Sequence, residues 1–364
     1  MNSSFRLRTG KGPAVLLILL ALVPVIATLL PLLRQGHWWI RIFDFPRLQI
    51  SALGLMVLAL ALVWRRPGPL RWGVAAVLAG CLAWQGVMIY PYSALAKRQA
   101  LDTAPDEWQD TISLLVANVL MTNRRAEGLL GIIEAADPDL VLLLEPDDWW
   151  QKQLWPLEER YPQVVSRPLD NTYGMILYSR LELVEPQIHH LIKEDIPSIH
   201  TRVVLPSGRQ IHLWGVHPQP PAPTEADDST ERDVELLLVA DQVEELGQPT
   251  IVMGDLNDVA WSYTTDLFLE TSQLLDPRIG RGMFNSYNAH NPLLRWPLDH
   301  VFFSEDFLLT ELRRLGKFGS DHFPIYAEMV LKPEVGKGQD KPERPDEDDL
   351  ETIQDKLDRL NEQD

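Results

Sequence analysis

The sequence predicts an α/β domain of two packed, mostly antiparallel β-sheets flanked by helices, a four-layer sandwich preceded by three transmembrane helices. Three observations carry this expectation. Nearly uncharged segments fill most of the first 90 residues. Short apolar runs with few helices between them follow from Thr111. Polar residues recur where those runs stop. The 364 residues divide by composition into a membrane domain (1–91), a linker (92–110), a folded domain (111–331) and an acidic, disordered tail (332–364).

The N-terminal segments Ala14 to Leu33, Leu48 to Trp64 and Trp72 to Tyr90 carry almost no charge. Each is close to the ~20 apolar residues that cross a bilayer as a helix, and uncharged runs of this length are uncommon in soluble cores. A cleaved signal peptide is the rival for the first, since Arg6, Arg8 and Lys11 precede it. Its apolar run is too long, and no small-residue cleavage pattern follows. His37, Trp38, Trp39 and Trp64 lie where interfacial aromatics belong. Arg6, Arg8, Lys11, Arg65, Arg66 and Arg71 fall on one side of such a layout. Arg34, Arg41, Arg47, Lys97 and Arg98 fall on the other. The bias favours a cytoplasmic N-terminus and a folded domain outside, which in a bacterial cell is the periplasm. The single cysteine, Cys81, lies in the third segment, so the folded domain has no thiol for disulfides.

After a polar, proline-punctuated stretch, "TISLLVAN" reads as a strand, "RRAEGLLGIIEAA" as a short helix and "DPDLVLLLEP" as a second strand. "YGMILYSR" and "LELVEP" read as strands meeting at a turn. Pro206-Ser207-Gly208 marks a hairpin between "HTRVVL" and "RQIHLWGVH". "STERDVELLLVADQVEEL" has helical periodicity with Ser229 or Thr230 as its cap. "IVMG", "LDHVFFS" and "IYAEMVL" complete the strands. In the tail, 12 acidic and 6 basic residues favour disorder, although Leu350, Ile353, Leu357 and Leu360 share helical spacing.

Chemistry collects at strand ends: Asn118 after "LLVA", Glu145 after "LVLLL", His217 after "LWGV", Asp255 and Asn257 after "IVMG". Asp299 opens "DHVFFS", and Asp321-His322 precede the last strand. Taken singly, each has an ordinary alternative: a solvated strand end, a bonded loop histidine, or an Asx turn. If the strands share sheets, these ends converge on one rim. An oxygen-rich, thiol-free rim suits Mg²⁺, or Mn²⁺, better than zinc.

The order Asn118, Glu145, His217, "GDLN", Asp299 and "SDH" resembles the endonuclease/exonuclease/phosphatase superfamily over Thr111 to Leu331. With the preceding spans it is similar to a membrane-anchored bacterial subgroup. The resemblance implies Glu145 as principal metal ligand with Asn118 beside it and Asp321 nearby. It implies Asp255 as the residue orienting or deprotonating water, and Asn257 as a phosphate-binding amide. His217 becomes a donor to the phosphoryl group, and His322 a catalytic imidazole oriented by Asp299. Tyr173, in "NTYGMILYSR", and Asn118 become substrate contacts. Leu120 stands where some relatives carry a further carboxylate, so one Mg²⁺ is expected. His300 follows Asp299 where an aromatic is common and is expected to be structural.

The implied activity is a membrane-anchored, Mg²⁺-dependent phosphodiesterase or phosphatase acting on nucleic acid or a phospholipid headgroup. The alternative is a catalytically inactive, membrane-tethered interaction module. The chain's net charge of −18 offers little general field for tight nucleic-acid binding. No protein partner is inferable.

Overall fold

A computed structural model describes residues 12–64, 68–104 and 110–363. The chain forms two compact units, one helical and N-terminal, the other running from Pro91 onward.

In the helical unit, Ala14–Leu33 and Pro69–Tyr92 are long and apolar enough to cross a membrane. The second expected span, Leu48 to Trp64, is a helix but a short one. Arg47–Val63 has 17 residues, about 25 Å at the α-helical rise. It is bent by 74° from the short helical stretch Trp38–Asp44. Buried Asp44 pairs with Arg41 at 3.1 Å and, across the bend, with Arg47 at 3.0 Å. Arg47 also donates to Gln85 at 3.4 Å, and Gln85 donates to Thr28 at 3.0 Å. A buried pair of this kind persists because each charge is compensated locally. The expectation of three spans therefore becomes two helices of sufficient length, or three if the bent pair counts as one. Arg6, Arg8, Lys11, Arg65 and Arg66, which carry most of the orientation argument, lie outside the described residues.

Among its described residues the larger unit holds eleven strands: β1 (Thr111–Asn118), β2 (Leu140–Leu144), β3 (Gln163–Arg167), β4 (Met175–Ser179), β5 (Leu183–His189), β6 (Ser198–Val204), β7 (Gln210–Val216), β8 (Thr250–Asp255), β9 (Asp299–Phe303), β10 (Phe307–Arg314) and β11 (Ile325–Leu331). They form two mixed sheets, ordered β10-β11-β1-β2-β4-β3 and β5-β6-β7-β8-β9. Among the described strands, β1–β2 and β7–β8 pair in parallel and the other neighbours are antiparallel. These two crossovers contain helices Ala126–Ala136 and Thr230–Leu246, as parallel neighbours require.

Alternation along β1 shows how the layers form. Ile112, Leu114 and Val116 face the second sheet, where they meet Ile251, Met253 and Val301. Leu115 and Ala117 face helix Ala126–Ala136 through Leu129 and Ile133. On the outer face of the second sheet, Trp214, Val252 and Phe302 pack against Leu236, Val239 and Phe268. Central strands buried on both faces read as continuous apolar runs rather than alternating ones.

Two segments differ from their compositional reading. Part of the expected linker lies on the larger unit: Ala100 is buried in its core, and Leu101 and Thr103 exchange backbone hydrogen bonds with Leu309. In the acidic tail, Glu347–Gln363 is a helix. Lys356 donates to Asp233 at 2.6 Å, and Tyr263 donates to Asp349 at 2.7 Å. The short amphipathic pattern thus finds tertiary partners, which a helix of this length needs.

Gly254 reads in sequence as a turn residue, but it lies inside β8, paired with Val216 of β7. A Cβ there would stand 1.9 Å from the Val216 carbonyl oxygen, at φ +155°. The glycine permits sheet closure directly below the polar rim. Gly254→Ala is expected to lower stability by about 3 kcal/mol, in the range of backbone strain plus overpacking. Gly316→Ala, with open space around it, should be near neutral. Thermal unfolding of the full chain in detergent checks this; equal midpoints for the two variants would contradict it.

Candidate active site

Register brings the polar strand ends together. Asn118 of β1 lies opposite Leu144 of β2, so Glu145 leaves the sheet beside it. Asp255 of β8 lies opposite Asp299 of β9. Val216 pairs with Gly254, so His217 emerges next to Asp255. Val116 pairs with Ile325, so His322 reaches the same rim from the start of β11. Six of the expected residues therefore meet there: Asn118, Glu145, His217, Asp255, Asp299 and His322.

Their contacts form one network. The Asn118 Nδ2 donates to Glu145 Oε1 at 2.7 Å and to Asp255 Oδ2 at 3.2 Å. Met121 N–H donates to the other Glu145 oxygen at 3.2 Å. The His322 Nδ1 donates to Asp299 Oδ2 at 2.7 Å, and its Nε2 lies 3.6 Å from Asp255 Oδ2. His217 Nε2 lies 4.0 Å from the same oxygen. Asp255 is thus the hub between amide, carboxylate and two imidazoles.

Burial and charge drive the two histidines apart. Burial disfavours the His322 cation, but Asp299 and Asp255 outweigh it and hold its pKa up to about 10. His217 is lowered chiefly by burial, against the pull of Asp255, and stays neutral. Burial raises Glu145 to about 7 and also raises Asp255, against hydrogen bonds and His322. A charged imidazole beside a neutral one separates donor and acceptor roles within one site.

Backbone conformation is unusual here. Glu145 has φ +63°, Leu120 φ +55° and Asn257 φ +52°. Non-glycine residues in this region carry strain that surrounding contacts must hold. At Leu120, the N–H donates to Asn118 Oδ1 at 2.9 Å. At Asn257, the N–H donates to Asp255 Oδ1 at 3.0 Å and the side chain donates to the Pro218 carbonyl at 2.9 Å. Asn257 therefore joins the rim at Asp255, with its amide partly engaged.

Tyr173 stacks obliquely on His217, ring centroids 5.6 Å apart, and its hydroxyl donates to Glu225 at 2.8 Å. Asp321 accepts from the Ser320 hydroxyl at 3.5 Å, and its charge helps raise the His322 pKa. His300 is structural. It is fully buried, donates from Nε2 to the Asp258 carbonyl at 2.9 Å and accepts from Arg278 at 2.6 Å.

Sequence reasoning missed three supports. Arg232, fully buried, donates to the Asn257 carbonyl at 3.0 Å and pairs with Asp258 at 2.9 Å, fixing the turn after β8. Ser320 bridges the Asn118 carbonyl and the His322 N–H, at 2.8 and 3.0 Å. Tyr287 lies 5.0 Å from the His322 ring. Arg232 and Ser320 lie in recognisable polar segments, but their partners are 25 and 202 residues away and no local pattern shows the pairing.

The donor set fits a divalent cation. Two buried carboxylates, Asp255 and Asp299, and the partly buried Glu145 crowd one rim, and neither Asp299 Oδ1 nor His217 Nδ1 has a hydrogen-bond partner. Asp255, Asp299 and His322 each offer a ligand atom within 4.8 Å of one another. A protonated His322 cannot ligate a metal, however, which leaves Glu145 with Asn118 as the better oxygen pair.

The profile of the Endonuclease/Exonuclease/phosphatase family matches residues 115–322. No curated protein sequence matches the chain. Among solved structures, D. rerio TDP2 complexed with a single-strand DNA product is 19% identical with a TM-score of 0.52, covering 61% of this chain and 99% of that one. The human Nocturnin catalytic domain is 18% identical with a TM-score of 0.48, covering 65% and 98%. A family protein from Bacteroides thetaiotaomicron is 18% identical with a TM-score of 0.48, covering 62% and 96%. At these identities the likeness concerns fold alone, but the profile spans more than half of the residues, and the chain belongs to the endonuclease/exonuclease/phosphatase family.

Proposed function

We propose that this protein is a membrane-anchored, Mg²⁺-dependent phosphoester hydrolase, with Mn²⁺ as a substitute cation. The observation that carries the reading is the rim of buried Asp255 and Asp299 with partly buried Glu145, whose charge no lysine or arginine side chain contacts among the described residues. Like-charged groups held together in a low-dielectric site call for a cation. Glu145 and Asn118 would hold it. When bound, Mg²⁺ would polarise the phosphoryl group and offset charge on its oxygens.

The chain's own residues divide the remaining work. Asp255 accepts a proton from, or orients, a water aimed at phosphorus. Asn118 Nδ2 fixes the Asp255 oxygen at 3.2 Å. His322, kept cationic by Asp299, donates from Nε2 to a phosphoryl oxygen as charge gathers there. Neutral His217 supplies a second donor without adding charge. Asn257 keeps one side-chain N–H available beside its bond to Pro218. Tyr173 closes the His217 side of the site, and Asp321 adds a negative charge felt by His322.

Glu145→Gln and His322→Ala are each expected to lower turnover of a bis-aryl phosphodiester by about 10²-fold or more. Chelation should abolish turnover, and added Mg²⁺ should restore it. Assays of the full chain in detergent, with circular dichroism to verify folding, check this. Chelator-resistant hydrolysis would end the metal reading. A folded chain inert towards diester, nucleic acid and phospholipid would favour the interaction module instead.

We further propose a multi-pass protein with the larger unit on the non-cytoplasmic side, the periplasm in a bacterial cell. The apolar helices and the basic residues flanking them support this. Reporter fusions after Lys97 and after Arg66 should report opposite sides. Agreement between them would remove the proposed arrangement.

A further inference from the structure

One ring beside the site gathers three cations. Phe323, directly after His322, has the Arg314 guanidinium 4.4 Å from its centroid, Arg295 at 5.0 Å and the Lys317 ammonium at 5.9 Å. Three different segments bring them there. Arg314 ends β10 and donates to the Asn285 carbonyl at 2.9 Å. Arg295 comes from the loop before β9 and donates to the Asn288 carbonyl at 3.1 Å. Lys317 stands in the turn before β11. Among the described residues no carboxylate pairs with any of the three, although the chain carries 51 acidic side chains. Burial and the neighbouring Arg295 charge hold the Arg314 pKa down. An aromatic face accounts for one cation, but three unpaired cations on one ring repel each other unless an anion joins them.

The surface on either side extends the pattern. A groove of about 670 Å³ runs from Lys317 past Ser320 to Arg124, Arg125 and Trp149. A second, of about 520 Å³, is lined by Arg314 together with Arg313 and Arg281, which pair with Glu311 and Asp102. Arg124 lies over the Trp149 ring at 4.7 Å while its guanidinium pairs with Asp147. Cations at intervals and a partly exposed indole match the needs of a single strand, whose phosphates are neutralised and whose bases stack. A compact lipid headgroup would use the Phe323 cluster but leave the groove with Trp149 without a role.

We propose that Arg295, Arg314 and Lys317 form a subsite for a phosphate flanking the scissile one, and that the substrate is a single-stranded nucleic acid whose neighbouring base rests on Trp149. This rests on the hydrolase reading above and deepens it. The acidic domain then selects its polyanion locally, through one basic track at the rim, rather than through overall charge.

The test uses the full chain in detergent with Mg²⁺ and three substrates: a bis-aryl phosphodiester, a single-stranded oligonucleotide, and vesicles containing a bisphosphorylated inositol lipid. Arg314→Ser and Lys317→Ser replace exposed side chains, so folding should survive; Arg314→Lys is the conservative control. Each serine variant should lower kcat/KM on the oligonucleotide about tenfold and leave the bis-aryl rate within about twofold, while Arg314→Lys should keep most of the wild-type oligonucleotide rate. The logarithmic salt dependence of oligonucleotide binding, followed by fluorescence anisotropy, should become shallower by about 0.7 per cation lost. Equal losses on diester and oligonucleotide, or none on the oligonucleotide, would overturn the subsite. Losses confined to the lipid vesicles would overturn the strand assignment. If the wild type hydrolyses nothing, the hydrolase reading fails. The anisotropy arm still decides the subsite, because binding weakened by the variants needs no turnover.

Discussion

Everything at the rim depends on the His322 imidazolium held between Asp299 at 2.7 Å and Asp255 at 3.6 Å. Those two carboxylates face each other across β8 and β9 because the sheet register demands it. Burying two such groups costs several kcal/mol per ion unless a positive partner shares the space. His322 supplies one such charge, and Glu145 brings a third carboxylate that His322 alone does not balance. The electrostatics of the site thus leave it short of positive charge, which is the condition a divalent cation satisfies.

Holding this arrangement takes constraints from outside the rim. Glu145 and Asn257 sit in a backbone region that non-glycine residues seldom occupy. Arg232 answers for one of them by clamping the turn after β8 through Asn257 and Asp258. The same arginine pairs with Asp233, which receives Lys356 from the C-terminal helix. A run of buried charge contacts therefore connects the tail to the turn that carries Asp255 and Asn257. Ser320 plays a comparable part on the other sheet, joining Asn118 to His322.

Much of the fold and rim was legible because strands advertise themselves. Apolar runs that stop on Asn118, Glu145, His217 and Asp255 mark both a buried strand and the place where its end reaches solvent. The short strand Gln163–Arg167 and β10 escaped notice since their residues are mixed in polarity and lie at sheet edges. The constraint on Gly254 is the Val216 carbonyl on another strand, which no local pattern shows. The Arg295, Arg314 and Lys317 cluster left no trace in the sequence, as three segments create it around one phenylalanine. In the helical unit, the uncharged stretch from Leu48 does form a helix, Arg47–Val63, but at 17 residues it counts towards a span only with the bent stretch Trp38–Asp44 before it. The tail helix shows the opposite error, in which acidic composition outweighed a four-residue apolar stripe.

The central claim is that the buried carboxylate rim is a cation site built around Glu145. Electron paramagnetic resonance of Mn²⁺ titrated into the full chain in detergent tests it most directly. The expected result is bound Mn²⁺, displaced by Mg²⁺ and weakened about tenfold or more by Glu145→Gln, as loss of a charged oxygen ligand implies. An unchanged spectrum and affinity in the Glu145→Gln chain, or no bound Mn²⁺ in the wild type, would contradict the account.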